Sequence, residues 1–318
     1  MRRISIVALS GALCLLIAQP AGAATTATSS TVLIEGYTLR LTAARNVAND
    51  VSVEPGESTG SYLVSDSAGV DAGAGCTSLS GTSAMCAGDL NYIVVVVSDL
   101  ADNVTIGTLA GPMVSIQGGG GKDTITSHSA AGLNGGGGND TLTGSTFRDG
   151  LGGGPGDDQL NGMGGPDYLI GGLGADVIDG GKGADIASYV ERLDGVHISS
   201  DGITDDGTPG EGDNVINAEY LIGGEGNDTI VTSSTAAGRG GNDALSFAPG
   251  GSGVLSGGTG NDTLTAGGAF STIRGQQGDD TLMSKNGHGD SDICNSGTDS
   301  VTADASDSVA SDCELVTT

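Results

Sequence analysis

The sequence has no tryptophan, and aromatic residues make up only 3% of its 318 positions. Basic residues are also scarce, because 11 Lys and Arg stand against 39 Asp and Glu, for a formal net charge of −28. A chain without a basic patch cannot neutralise phosphates, which argues against nucleic acid as a partner. With so few large side chains and so much like charge, a compact fold needs another source of stability.

Catalytic motifs are equally scarce. The three histidines, His128, His197 and His288, are far apart in the chain, and no H-E-x-x-H zinc motif is present. Residues 56–60 match G-x-S-x-G, but no helical pattern follows them to form a nucleophile elbow. Carboxylate pairs are plentiful, yet a chain without tryptophan is poorly suited to line a sugar-binding cleft. These features predict a protein that is not an enzyme.

Long apolar runs are missing outside the first residues, so no transmembrane segment is predicted. Residues 1–23 have the features of a secretory signal peptide, namely Arg2 and Arg3, an apolar stretch, and an A-x-A cleavage site at residues 21–23. We therefore expect a protein that is secreted to the extracellular space.

Four cysteines lie outside residues 1–23, and an even number in an exported protein favours disulfides. Three pairings are compatible with the sequence. Proximity along the chain favours Cys76–Cys86 and Cys294–Cys313, and free thiols in a reducing compartment are the alternative.

Glycine is abundant instead, with 60 residues, and much of it is periodic. Residues 153–188 repeat a nine-residue unit four times, on the template G-G-x-G-x-D-x-U-x, where U is a large apolar residue. The glycines allow a tight turn with close backbone approach. The aspartate at position six supplies a hard oxygen ligand, and the apolar residue at position eight lies on a short strand and points inwards.

The same register continues on both sides of this run. It includes units at residues 118 and 135 and a second block with units at residues 223, 238, 257 and 275. In the first block, the residues predicted to face inwards are Ile125, Leu133, Leu142, Leu151, Leu160, Leu169, Ile178 and Ala187.

These units resemble the repeats of the RTX, or haemolysin-type calcium-binding repeat, family, and the resemblance covers about half of the chain. The resemblance implies an all-β fold, a right-handed parallel β-roll or β-helix solenoid of calcium-binding nonapeptide repeats, here with a β-rich N-terminal cap. It also implies that several calcium ions are bound between successive coils, since two units make one coil of about 18 residues.

Position-six aspartates that lie one coil apart are then expected to stack as ladders, the first of which is predicted to begin at Asp123. Asp228 is only fifteen residues from Asp243, so its pairing is irregular, and three loops have Met163, Arg239 or Gln276 in place of the second glycine. The predicted metal ligands are Asp123, Asp140, Asp149, Asp158, Asp167, Asp176, Asp185, Asp228, Asp243, Asp262 and Asp280.

The chain is predicted to divide into six segments. They are a signal peptide at residues 1–23, a β-rich N-terminal region with a disulfide at 24–91, cap coils and the first block at 92–190, an acidic turn-rich linker at 191–218, the second block at 219–288, and a degenerate closing coil with a disulfide at 289–318. The cap coils are expected to lack ladder aspartates. The acidic residues of the linker, Asp205, Asp206, Glu211 and Asp213, either hold another cation or form a solvated charged segment. In the closing coil, Ile293, Val301 and Val309 are expected to face inwards.

The sequence thus predicts calcium binding that is coupled to the folding of a secreted protein. Two alternatives remain open. The roll is a rigid spacer in an adhesin or cell-surface matrix component, or the chain is a secreted hydrolase that acts through its N-terminal region.

Overall fold

The computed structural model describes residues 29–318, so the predicted signal peptide lies outside the described residues. Within this part of the chain all regular structure is β, and no helix is long and apolar enough to cross a membrane. The strands of residues 29–318 are, in chain order, β1 (Ser30–Glu35), β2 (Thr38–Thr42), β3 (Asp50–Pro55), β4 (Ser61–Asp66), β5 (Val70–Ala72), β6 (Cys76–Ser80), β7 (Ser83–Ala87), β8 (Tyr92–Val96), β9 (Asn103–Ile106), β10 (Met113–Gly120), β11 (Thr124–Ser127), β12 (Ala131–Gly137), β13 (Thr141–Thr143), β14 (Gly150–Pro155), β15 (Gln159–Asn161), β16 (Tyr168–Leu173), β17 (Val177–Asp179), β18 (Ile186–Ser188), β19 (His197–Ser199), β20 (Asn214–Ile216), β21 (Tyr220–Ile222), β22 (Thr229–Thr232), β23 (Thr235–Gly240), β24 (Ala244–Phe247), β25 (Val254–Thr259), β26 (Thr263–Thr265), β27 (Thr272–Gln277), β28 (Thr281–Met283), β29 (Ser291–Ser296), β30 (Ser300–Thr302), β31 (Ser308–Val309) and β32 (Leu315–Thr317).

The strands form a β-solenoid of about 12 turns. A 15-stranded sheet, which we call the long sheet, has the order β31-β29-β27-β25-β23-β21-β18-β16-β14-β12-β10-β8-β2-β1-β5. It faces two shorter sheets. The first facing sheet has the order β20-β17-β15-β13-β11-β9-β3-β4-β7-β6, and the second has the order β19-β22-β24-β26-β28-β30-β32. A regular coil contributes one strand to the long sheet and one to a facing sheet, which confirms the all-β parallel roll.

The core consists of aliphatic rows that run along the solenoid. Every second strand residue points inwards, and equivalent residues of successive coils are paired in register. The row of the long sheet contains Leu41, Val95, Ile116, Leu133, Leu151, Leu169, Ala187, Leu221, Ala236, Leu255 and Ile273. The opposite rows contain Val51, Val104, Ile125, Leu142, Leu160, Ile178 and Val215, and then Ile198, Ile230, Leu245, Leu264, Leu282 and Val301. All eight inward residues predicted for the first block are buried.

The solenoid already begins within residues 24–91. Strands β2 and β3 pair in parallel with β8 and β9, so they form the first coil. Strands β1, β4 and β7 then continue the two sheets with antiparallel pairs, which ends the parallel stack. The disulfide Cys76–Cys86 joins the paired strands β6 and β7, and Cys294–Cys313 joins β29 to the C-terminal segment, so both disulfides favoured by proximity are confirmed.

The two repeat blocks share one face and are separated on the other. In the long sheet, β18 pairs directly with β21 across a 34-residue separation, so this sheet is continuous. On the opposite face, β20 pairs back onto β17 while β19 pairs forward onto β22. The acidic excursion between β19 and β20 therefore lies at a break between the two facing sheets.

The closing coil differs from its prediction at one position. Ile293 is opposite Arg274 and only half-buried, whereas Asp292 is paired with Ile273 and fully buried. This coil is 19 residues long at that point, and one extra residue moves a strand's side chains to the opposite face. The prediction that Ile293 faces inwards is wrong. Val301 is buried as predicted.

Leu160 lies in the middle of an inward row and tests the core. Leu160→Ala removes a fully buried side chain, so we expect it to lower the free energy of unfolding in calcium by about 2–5 kcal/mol. The matched control is Gln159→Ala, one residue away on the same strand with an exposed side chain, which should change it by less than about 0.5 kcal/mol. Denaturant unfolding of both variants measures this. Equal effects would contradict the inward assignment.

Candidate metal centre

The position-six aspartates lie along the two edges of the roll, where the chain turns from one sheet to the other. Asp123 immediately precedes β11 of a facing sheet, and Asp149 immediately precedes β14 of the long sheet. No more than 3% of any predicted ligand is exposed. A carboxylate buried to this extent needs hydrogen bonds, a cation or a proton to replace its hydration.

Each aspartate accepts a hydrogen bond from the main chain of the coil before it. The N–H of Asp140 donates to Oδ1 of Asp158 at 2.7 Å, and the N–H of Asp158 donates to Oδ1 of Asp176 at 2.8 Å. The same contact, at 2.7–2.9 Å, joins the members of three ladders. They are Asp102, Asp123, Asp140, Asp158, Asp176 and Asp213; Asp149, Asp167, Asp185 and Glu219; and Asp228, Asp243, Asp262, Asp280, Asp299 and Glu314.

All eleven aspartates singled out from the sequence therefore lie in ladders. Asp228 stacks on Asp243 despite the fifteen-residue spacing, because only two residues separate β22 from β23. Asp123 does not begin the first ladder, since Asp102 precedes it with an N–H to Oδ1 distance of 2.8 Å. The expectation that the cap coils lack ladder aspartates is wrong.

Sequence reasoning missed three ladder aspartates, Asp102, Asp213 and Asp299. Their loops lack the repeat's pattern of glycines. Each is followed two residues later by a buried valine, which is the D-x-U part of the template. This shorter signal is sufficient to find them once the coil length is allowed to vary.

The second carboxylate oxygen distinguishes most ladder residues. Oδ2 is buried and has no hydrogen-bond partner in nine of the eleven predicted ligands, Asp123, Asp140, Asp158, Asp167, Asp176, Asp185, Asp243, Asp262 and Asp280. The two exceptions are Asp149, whose Oδ2 accepts from the N–H and hydroxyl of Ser145, and Asp228, whose Oδ2 accepts from the N–H of Gly224. A buried acceptor without a donor is unfavourable by about 1–3 kcal/mol, and more when charged, so these oxygens point to a missing positive partner.

A space lined with oxygens lies beside each of these carboxylates. At Gly162, an added Cβ would come within 2.5 Å of Oδ2 of Asp167 and 2.6 Å of the carbonyl oxygen of Gly180, which belongs to the next coil. Glycine is required there because the carboxylate and the neighbouring carbonyl occupy the place of a side chain. Carboxylate and carbonyl oxygens from adjacent coils are ligands suited to Ca²⁺, so the residues present fit this ion.

The loops in which the second glycine is replaced keep the same backbone conformation. Met163, Arg239 and Gln276 have φ values of 71°, 87° and 85°, close to the left-handed region adopted by glycines elsewhere in the repeats. A non-glycine residue there is strained by about 1 kcal/mol or more, and the stacked coils hold it in place. The substitutions leave Oδ2 of Asp167, Asp243 and Asp280 in the same setting as in the other loops.

Burial raises the pKa of the ladder carboxyl groups. The pKa of Asp176 is raised to about 8, chiefly by burial and further by the neighbouring Asp213 and Asp158. For Asp167 and Asp243 burial raises the pKa to about 7, and adjacent ladder carboxylates contribute to both shifts. The pKa is raised to about 6, again mainly by burial, in Asp123, Asp158, Asp262 and Asp280.

At the break between the facing sheets, the protein supplies its own cation. Val196 occupies the ladder position there, and its N–H donates to Oδ1 of Asp228 at 2.9 Å. The guanidinium of Arg192 donates to the carbonyl oxygen of Gly172 and, at 2.6 Å, to Oε1 of Glu211. The Tyr189 hydroxyl donates to Oδ2 of Asp213 at 2.9 Å. The acidic excursion is thus largely neutralised from within.

A separate group of possible metal ligands lies in the same excursion. One ligand atom each from His197, Asp205 and Asp206 lies within 4.8 Å of the others. Both oxygens of Asp206 already accept main-chain N–H groups, from Ser199 at 2.6 Å and Val215 at 2.8 Å. Asp206 therefore acts first as a link between β19 and β20.

The ladders and parallel coils define a β-roll with stacked acidic loops. The family model of the RTX calcium-binding nonapeptide repeat matches the chain in four copies, at residues 133–151, 152–187, 210–234 and 256–290. Together with the solenoid, this match identifies an RTX-type parallel β-roll protein that carries calcium-binding repeats. None of the curated proteins compared with the chain matches it.

The raised pKa values predict how the metal-free roll responds to pH. A carboxyl whose pKa is raised by folding favours the folded state when protonated, so its contribution is complete below about pH 4 and is lost as pH rises through its folded value. With folded values between about 6 and 8 for seven ladder aspartates, the melting temperature in a chelator should fall between pH 5 and pH 8.

In saturating calcium this fall should shrink or reverse, because metal binding requires the deprotonated carboxylates. Thermal melts followed by circular dichroism at several pH values, with and without calcium, measure both trends. A melting temperature that rises with pH in the chelator would contradict the assignment.

Proposed function

We propose that this protein binds several calcium ions between successive coils of the roll, and that ion binding drives its folding in an extracellular environment. The observation that carries the proposal is the set of nine stacked aspartates whose buried Oδ2 atoms have no hydrogen-bond partner. The proposed ligands are the eleven predicted aspartates, assisted by carbonyl oxygens of the glycine loops.

The charge balance supports a bound cation. Among residues 29–318, the ion pairs of arginine join Arg40 to Glu35, Arg192 to Glu211 and Arg239 to Glu225, and none of these acidic residues is a predicted ligand. The chain as a whole has a formal charge of −28. Stacked carboxylates without a counter-ion repel each other and oppose folding, so the free energy of metal binding becomes free energy of folding.

The choice of calcium follows from the ligands. The spaces beside the ladders are lined by carboxylate and carbonyl oxygens, and Ca²⁺ accepts six to eight such ligands in flexible geometry. Mg²⁺ demands a smaller octahedral arrangement and gives up its water reluctantly. Zinc is not favoured, since the ladders contain no histidine or free cysteine.

An extracellular setting is supported by two observations. Both cysteine pairs form disulfides, which persist in oxidising compartments. Residues 1–23 carry the sequence pattern of a signal peptide. Outside the cell, an affinity on the order of 10⁻⁴–10⁻³ M per site is sufficient for occupancy.

Calcium is expected to fold the protein. On chelation, the β-sheet signal in circular dichroism should be lost or the melting temperature should drop markedly, because repulsion within the ladders is no longer compensated. Added calcium should restore both, with magnesium at the same concentration much less effective. A spectrum and melting temperature that do not change on chelation would overturn the proposed function.

The neighbouring residues Asp158 and Asp157 provide a matched pair of variants. Asp158→Asn removes a buried mid-ladder charge and should reduce the number of bound calcium ions by at least one. Asp157→Asn makes the same change on an exposed side chain and should leave the number unchanged. Native mass spectrometry counts the ions. A loss in both variants, or in neither, would argue against the ladder as the binding site.

A further inference from the structure

A buried carboxylate ends the interior row of the long sheet. The row of aliphatic residues ends at Leu255 and Ile273, and the next residue in register is Asp292 on β29. Asp292 is 0% exposed. It points into the interior of the roll, whereas the ladder aspartates lie at its edges, and it belongs to no G-G-x-G-x-D unit.

Three acceptors compete for one hydrogen at this end of the core. The hydroxyl oxygen of Ser284, which is fully buried, lies 2.8 Å from Oδ2 of Asp292. It also lies 3.1 Å from Oδ2 of Asp307 and 3.3 Å from the carbonyl oxygen of Thr302. A serine hydroxyl has a single hydrogen, so it can donate to only one of these oxygens. The other contacts bring oxygens together with no hydrogen between them.

The remaining oxygen of Asp292 has no partner at all. Its Oδ1 is buried and accepts no hydrogen bond. No ion pair with Lys or Arg reaches Asp292 or Asp307 in the part of the chain that the structure describes. The nearest other acidic group, Asp290, has its Oδ2 hydrogen-bonded to the Asn286 amide at 2.6 Å. The interior therefore holds negative charge and unpaired oxygens without any compensating protein group.

We propose that Asp292, Asp307 and Ser284 hold a calcium ion inside the C-terminal end of the roll. The donors are all oxygens, two of them carboxylates, which is the ligand set of a hard divalent cation. Their separations of 2.8 Å and 3.1 Å are close to those of oxygens that share one ion at about 2.4 Å. Asp307 is only half-buried, so it gives the ion a route from solvent and leaves room for water ligands.

This inference rests on the proposed calcium function and extends it to a site outside the repeats. An ion there would join β29 to the segment between β30 and β31, which carries Asp307. The last coils would then be fastened by an interior metal in addition to the disulfide between Cys294 and Cys313.

The test is to count calcium ions on the full chain by native mass spectrometry at matched free calcium. Asp292→Asn keeps the shape but removes the charge, and it should bind one ion fewer than the unaltered protein. Asp312→Asn removes a charge from the same closing coil, from a residue whose Oδ2 accepts the N–H of Asn295, and should bind the full number. Ser284→Ala should also lose one ion.

The main competitor is a proton in place of the metal. Asp292→Ile restores the aliphatic residue that the row has at Ile273. If a protonated carboxyl fills this position, Asp292→Asn keeps the full ion count, and Asp292→Ile melts higher than the unaltered protein both in calcium and in chelator. That result would overturn the proposal.

Diffraction decides the matter if the variants fail to fold. Crystals of the unaltered protein grown in calcium should show an anomalous peak within coordinating distance of both Asp292 and Asp307. Peaks along the ladders with none here would refute this site and leave the proposed function intact. A protein that binds no calcium anywhere would refute the proposed function itself.

Discussion

The structure depends on one repeated contact, the hydrogen bond from a main-chain N–H to Oδ1 of the aspartate one coil further on. It fixes the distance and register between coils, and it leaves Oδ2 facing the glycine at the start of its own loop. One half of each carboxylate thus belongs to the protein's own hydrogen bonding, while the other half is available to an ion. Stacking of the coils and the formation of metal sites are therefore the same event.

This arrangement explains a composition that looks unfavourable for a folded protein. The interior rows provide a narrow core with about two aliphatic residues per coil, which offsets only part of the conformational entropy of a glycine-rich chain. The acidic edges oppose folding until they are neutralised. At the break between the facing sheets, Arg192 and Tyr189 serve Glu211 and Asp213 in place of a metal. That part of the roll is held by the protein alone.

The repeats and the core were predictable because their signals are periodic. A nine-residue spacing sets the face of every strand, so Ile125 to Ala187 and the eleven aspartates follow from counting. Irregular coils were not predictable in this way. Asp102 lies 21 residues from Asp123, and Asp292 enters the core because its coil has 19 residues. The partners of Arg192 depend on a 34-residue excursion whose path is set by tertiary contacts, and no local pattern in the sequence encodes it.

The continuous long sheet separates the order of the chain from the mechanical integrity of the molecule. Because β18 is bonded directly to β21, a backbone cut anywhere in the 31 residues between them would leave the two blocks joined through that sheet. The excursion is thus a place where the polypeptide can be nicked, lengthened or replaced while the rod remains one body. In evolutionary terms, it is the point at which this roll can accept new sequence without losing its axis.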